Sequence, residues 1–250
     1  MSYTHKMQTN RREFKYIVSE AAAAGIRDFV RFHLISDENA DPNNYNSYWI
    51  HSLYLDSPNL SLCNATLEGL KNRFKLRIRF YDECADNPVF FEVKSRVNDV
   101  ILKDRCAVHR ASVDRLLHSP WAERSDLLKY NPKNLASLQR FLDLQNKLKA
   151  DGKVFVSYIR EAYVSPHDDS VRVTFDRKLS SAPYNENLTI EPLPGWVQPQ
   201  IGGVVLELKF TDRFPGWMGD LSRTFGLVRC TVPKYVHCVQ SLGRNTLLNR

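Results

Sequence analysis

The chain has 250 residues, 43% hydrophobic and 25% charged, with a formal net charge of +7. This composition suits a soluble globular protein with a sizeable core and excludes a disordered or fibrous chain. No apolar run approaches the roughly 18 residues of a membrane-spanning helix, and Met1–Asn10 is polar, without the apolar core of a signal peptide, so a cytoplasmic location without direct membrane insertion is expected, although attachment to a membrane-associated assembly stays open.

Ser19 is placed to cap a helix running through Ala21–Ala24 toward Leu34. Asp37–Asn46, rich in Asn and Asp and containing Pro42, reads as a loop. Strands are expected at Tyr48–Asp56, Leu76–Tyr81 and Val89–Arg96, and Val100–His109 pairs with the last of these across a turn at Asn98-Asp99. A short helix at Ser112–His118 is followed by a longer one at Asn134–Lys149, where Leu135, Leu138, Phe141, Leu142 and Leu148 recur at helical spacing. Strands return at Val154–Val164 and Ser170–Asp176. Asn185–Gly203 carries several Pro and Gly breakers and reads as a long loop. A strand at Val204–Phe210 precedes helical stretches near Trp217–Phe225 and Lys234–Leu242. Many strands with a few peripheral helices point to an α+β antiparallel barrel and away from alternating βαβ units.

Side chains alternate faces along a strand. Lys75, Arg77 and Arg79 therefore share one face, opposite Leu76, Ile78 and Phe80. Glu92, Lys94 and Arg96 oppose Phe91 and Val93, and Lys103 and Arg105 repeat the pattern. Arg172, Thr174 and Asp176 oppose Val171, Val173 and Phe175; Glu207 and Lys209 oppose Leu206, Leu208 and Phe210. Near the start, Glu13 and Lys15 flank Phe14. A half-buried antiparallel sheet also turns polar residues to water. That accounts for alternation in one strand, but less well for a face that is nearly all charged and cation-rich, with single Glu residues in three strands.

If the sheet closes with these faces inward, the interior must be a wet tunnel, because unpaired buried charges cost several kcal/mol or more. Arg supplies forked donors to phosphate oxygens and Lys a point charge. The glutamates fit a divalent cation bridging carboxylate and phosphate, and together these are the equipment of phosphoryl transfer. The chain has no G-x-x-x-x-G-K-[ST] loop, no G-x-G-x-x-G and no H-E-x-x-H. Its five cysteines are odd in number and form no C-x-x-C, which argues against a disulfide framework or a Cys-based zinc site. The seven scattered histidines read as structural or surface residues, and the Trp and Tyr residues as core or rim. The basic residues neither cluster on one helix nor interleave with aromatics, so nucleic acid is not the expected partner.

These segments, in this order, resemble the VTC domain, the polyphosphate polymerase branch of the triphosphate tunnel metalloenzymes. The stretches that carry the resemblance are Arg12-Glu-Phe-Lys-Tyr16, Ser52-Leu-Tyr-Leu-Asp56, Gly69–Tyr81, Phe91-Glu-Val-Lys94, Val171–Asp176, Val205–Lys209 and Pro233-Lys-Tyr235. The resemblance implies a tunnel of antiparallel strands, formed by residues 11–250 as one domain behind a flexible tail at 1–10. It implies that nucleoside triphosphate and polyphosphate are the partners, and that the terminal phosphate of ATP passes to a growing chain with Mn²⁺ or Mg²⁺. By position, Lys15, Arg77, Arg79, Lys94, Lys103, Arg105, Arg160, Arg172 and Lys234 match the family's phosphate-binding cations. Of these, Lys103, Arg105, Arg160 and Lys234 are expected to bind substrate. Lys15, Arg77, Arg79, Lys94 and Arg172, with Lys209 on the same face, are expected at the catalytic centre. Glu207 matches the family's metal carboxylate; Glu92 and Glu13 join it as metal candidates from face alternation.

Two other activities fit the same tunnel: a tripolyphosphate or nucleoside-triphosphate hydrolase, if water accepts the phosphate, and a non-catalytic polyphosphate-binding module. Pro233 departs from the Ser that the family often has before the last tunnel lysine, which bears on chain anchoring and on the polymerase-to-hydrolase balance.

Overall fold

The computed structural model describes residues 11–44, 46–98, 100–168, 170–186, 188–189 and 196–248. The tail at 1–10 and part of the loop at 185–203 lie outside the described residues. In chain order the elements are β1 (Arg11–Val18), α1 (Glu20–Arg31), β2 (Ile35–Ser36), β3 (Ser47–Asp56), α2 (Ser61–Leu67), β4 (Asn72–Phe80), β5 (Val89–Val97), β6 (Val100–Val108), α3 (Val113–His118), α4 (Pro132–Leu148), β7 (Asp151–Val164), β8 (Val171–Pro183), β9 (Val204–Thr211), α5 (Gly216–Thr224), α6 (Lys234–Leu242) and α7 (Arg244–Leu248).

The strands form one antiparallel sheet in the order β1-β9-β8-β7-β3-β4-β5-β6, with β2 paired to β7. Among the described residues no ladder joins β6 to β1, so the tunnel wall keeps an open seam. Side chains span it, with Lys94 Nζ of β5 3.3 Å from Glu13 Oε2 of β1.

Local chemistry sets the helix ends. Ser19 caps α1 by accepting from the Ala22 N–H at 3.1 Å, and Asn131 caps α4 by accepting from Asn134 N, with Pro132 in the first turn. The sequence reading missed α2, because the residue before it, Leu60, is in the left-handed region without a side-chain cap. Its cap comes from the end of β3: the Asp56 carboxylate accepts from Leu62 N and Cys63 N at 2.9 Å, and from Tyr235 OH. The strand β8 runs seven residues beyond the expected Asp176, past a break in its ladder with β7 where Lys178 takes a positive φ.

Three apolar clusters position the wall. On the outer face of β3–β6, Leu76, Ile78, Phe91 and Val93 pack under Leu138, Phe141 and Leu142 of α4. Each such fully buried side chain stabilises the fold by roughly 1.5–3 kcal/mol. On the outer face of β1, β9, β8 and β7, Tyr16, Leu206, Leu208 and Val173 pack against Ile26 and Val30 of α1 and Leu221 of α5. The third cluster lies on the other, concave face: Ile50, Tyr54, Val154, Val156 and Tyr158 pack against Tyr235, Val236 and Val239 of α6. The sequence reading gave this face to charge alone. Part of it is apolar and filled by α6, whose Tyr235 ring stacks on Tyr54 at 4.8 Å.

Candidate active site

Register aligns the charged side chains into one wall. Direct partners across the sheet are Lys15 with Glu207, Glu207 with Thr174, and Arg172 with Lys209. Farther round, Arg160 faces Asp176, Tyr54 faces Arg77, Arg77 faces Glu92 and Lys75 faces Lys94, and Glu92 faces Arg105. Opposed residues of an antiparallel pair share a face, so all of these point into the concavity that α6 partly fills.

Two carboxylates organise the wall. Glu207 is contacted by Lys15 at 3.2 Å, Lys234 at 3.1 Å, Arg160 at 3.3 Å and Lys209 at 2.5 Å, and accepts from the Thr174 hydroxyl at 3.3 Å. Burial would raise its carboxyl, but Lys209, Lys234, Lys15 and Arg160 outweigh that and hold it well below the usual carboxylate range. Glu92, fully buried, accepts from Arg77 at 2.6 Å and meets Lys103 at 2.9 Å and Arg105 at 3.4 Å. Its carboxyl is likewise driven down, burial being outweighed by Arg77, Arg79, Lys103 and Arg105. Glu13 links the two groups, 3.0 Å from Lys15 and 3.3 Å from Lys94.

The remaining expected residues sit around these groups. Arg79 donates to Tyr158 OH at 3.3 Å and Ser52 Oγ at 3.5 Å. Arg105 sits over Phe90, its guanidinium carbon 3.7 Å from the ring centroid. Arg172 stands apart from both carboxylates, donating to Asp37 at 2.5 Å and to Tyr48 OH at 3.0 Å.

Several contributors escaped the sequence reading. Asp176 was visible on the charged face but not singled out; it binds Arg160 through two 2.7 Å hydrogen bonds and Lys234 at 2.7 Å. Four tyrosines read as core or rim do pack there, and their hydroxyls also accept from tunnel arginines: Tyr54 from Arg77 at 3.2 Å, Tyr158 from Arg79, Tyr48 from Arg172 and Tyr81 from Arg105 at 3.4 Å. On β3 the inward residues are Tyr48, Ile50, Ser52 and Tyr54, so no charge alternation marks that face.

The carboxylates are hard oxygen donors of the kind that hold Mg²⁺ or Mn²⁺. Among the described residues no three His, Cys, Asp or Glu converge, and the oxygens of Glu207 are already engaged by cations. This donor set does not fit an all-protein cage. It fits an ion held by one or two carboxylates and completed by phosphate oxygens and water, the usual pattern for Mg²⁺.

Among the described residues no helix is long and apolar enough to cross a membrane. Comparison with solved structures finds the PH1819 protein from Pyrococcus horikoshii OT3, at 12% identity and TM-score 0.47, covering 92% of this chain and 98% of that one. A protein from Bacillus halodurans, described in its structure as a candidate adenylate cyclase, matches at 11% identity and TM-score 0.47, covering 89% and 95%. At these values neither carries a functional argument. No curated protein matches. The sequence itself matches the VTC domain over residues 10–243, nearly its whole length. With the antiparallel sheet curled around a cationic concavity, this settles the lineage: the chain belongs to the VTC domain family, and it is a tunnel-fold protein that handles triphosphates.

Proposed function

We propose that this chain is a polyphosphate polymerase that transfers the terminal phosphate of ATP to a polyphosphate chain. The observation that carries the reading is the Glu207 cluster, in which four cations from β1, β7, β9 and α6 converge on one buried carboxylate. A triphosphate entering the concavity offers the same charge as the carboxylate at higher density, so Lys15, Arg160, Lys209 and Lys234 can turn from Glu207 to phosphate oxygens with little rearrangement. Arg77, Arg79, Lys94, Lys103, Arg105 and Arg172 extend the cationic surface along the chain.

In this reading the site works by positioning and by electrostatic stabilisation. The cations hold the chain in line and neutralise charge developing on the transferred phosphoryl group. Glu207 and Glu13 are the carboxylates that would hold Mn²⁺ or Mg²⁺, which when bound supplies Lewis-acid neutralisation of phosphate oxygens. Glu92, surrounded by Arg77, Lys103 and Arg105, serves as a counter-charge that aims them. The acceptor is a phosphate terminus ionised at neutral pH, so no strong general base is required. One domain over residues 11–250 and a cytoplasmic setting belong to the same proposal.

Incubation of the purified protein with ATP and Mn²⁺, with products sized on a gel, tests it. Long phosphate chains are expected. Orthophosphate alone would replace the polymerase with a triphosphate hydrolase. Tight polyphosphate binding without turnover, unaltered by Glu207→Ala, would leave a binding module.

A further inference from the structure

On the tunnel face of β4 and β5, two successive cross-strand pairs bring like charges directly opposite: Arg73 faces Arg96, and Lys75 faces Lys94. Such pairs are destabilising, and three of the four cations have found compensation. Arg73 donates to the Leu70 carbonyl, Arg96 donates to the Asn98 carbonyl at 2.7 Å, and Lys94 lies 3.3 Å from Glu13. Lys75 has no hydrogen bond or ion pair among the described residues, although it is only half exposed in a wall whose other lysines are paired. Facing it are Lys15 from β1, Lys94 from β5, and Arg73 and Arg77 from its own strand. On the α2 side stands Cys63, whose thiol burial pushes up to about 11, so that it is neutral. Lys75 thus sits in a pocket of positive potential with nothing on the protein to satisfy it.

We propose that Lys75 is a phosphate-binding residue of the tunnel, seating one phosphate group of a linear phosphoanhydride chain beside the Lys15 and Lys94 that Glu13 bridges. The inference rests on the polyphosphate reading and deepens it. Glu13 pairs with Lys15 and Lys94, and Glu92 with Arg77, which among the described residues leaves Lys75 without a carboxylate of its own, so a further anion beside it lowers the energy of the cluster. A cluster of ammonium and guanidinium groups suits the dense charge of a phosphate chain. Burial first, and then Lys15, Lys94, Arg77 and Arg73, bring the Lys75 ammonium down to about 7, so above neutral pH it is largely deprotonated until an anion arrives. Seating the phosphate and acquiring a proton are therefore one event.

The test is calorimetric titration of metal-free protein with tripolyphosphate at pH 8, in two buffers of different ionisation enthalpy, for wild type, Lys75→Gln and Lys75→Arg. Wild type is expected to take up protons on binding. Lys75→Gln is expected to bind about tenfold more weakly, in line with loss of one charge-assisted contact, and to take up about one proton fewer. Lys75→Arg, always charged, is expected to keep the affinity within about threefold while showing the same loss of uptake. Unchanged affinity and proton count in Lys75→Gln would overturn the proposal. If that variant does not fold, wild-type proton uptake in Lys75→Arg overturns it instead. Failure of the wild type to bind tripolyphosphate would sink the polyphosphate reading itself, an outcome distinct from a silent Lys75.

Discussion

Arg160 and Asp176 form a buried two-point pair, Nε to Oδ1 and Nη2 to Oδ2, each at 2.7 Å, and Lys234 of α6 closes on the same carboxylate. Asp176→Asn keeps the shape and removes the charge, leaving Arg160 and Lys234 dependent on Glu207. Breaking one side of a buried pair costs about 3–5 kcal/mol, so the melting temperature should fall clearly. Tripolyphosphate should then restore more stability to the variant than it adds to wild type. Equal ligand-induced shifts in the two proteins would show that these cations do not face the ligand.

Glu207→Gln separates binding from chemistry. The substitution frees Lys15, Lys209, Lys234 and Arg160 from their shared carboxylate, so tripolyphosphate affinity should be unchanged or tighter. ATP-dependent phosphate transfer should fall about 100-fold or more if this carboxylate serves the transition state. Retained turnover would remove Glu207 from the catalytic centre.

His51 provides a pH signature away from the tunnel. Its ring is buried on the outer face between Trp49 and Phe80, 2.7 Å from Ser157 Oγ, and burial lowers its pKa to about 4. The unfolded chain binds the proton more tightly, so this contribution is present above the unfolded value of about 6.5 and is lost as pH falls from there toward 4. Between pH 7 and pH 5 wild type should lose about 2 kcal/mol from this source. Denaturant titrations of His51→Gln should show a correspondingly flatter dependence; the same slope in both proteins would assign the loss elsewhere.

Tyr54→Phe removes the hydroxyl that accepts from Arg77 at 3.2 Å and leaves the stack on Tyr235 in place. A stability loss of about 1 kcal/mol is expected. If Tyr54 aims Arg77, the maximal transfer rate should fall more than the apparent affinity for ATP. A change in neither parameter would make the hydroxyl structural.

Pro233 precedes α6 without any side-chain cap. Pro233→Ser should gain about 1 kcal/mol from capping and give back up to a similar amount by loosening the unfolded chain, for little net change in melting. The informative readout is the ratio of polymer to orthophosphate made from ATP. A shift toward polymer is expected, and an unchanged ratio would discount this position.

The strands that carry charge were legible because alternation of Lys, Arg and Glu with Leu, Ile and Phe fixes both the strand and its inward face. Lys75–Phe80 and Glu207–Phe210 are the clearest cases. The concave surface of β3 was not legible, because Ile50 and Ser52 separate Tyr48 from Tyr54 and the apolar half of that surface is covered by a helix distant in sequence. Asp176 was hidden for a different reason. Its significance depends on Arg160 and Lys234, which reach it from another strand and from α6. The helix α2 gave no local start signal, since its capping carboxylate, Asp56, lies at the end of the preceding strand.

The contacts of Glu207 with Lys15 and Lys234 tie the first strand to a late helix at a single carboxylate. During synthesis, a ribosome-bound chain that has not yet emitted α6 lacks both Lys234 and the apolar filling of the concavity. Such a chain leaves the buried carboxylates Glu207 and Asp176 short of one counter-cation, and the concavity they line is not yet assembled. A protease cut just before Pro233 would return the domain to that same state, so the concavity is complete only while one nine-residue helix stays attached.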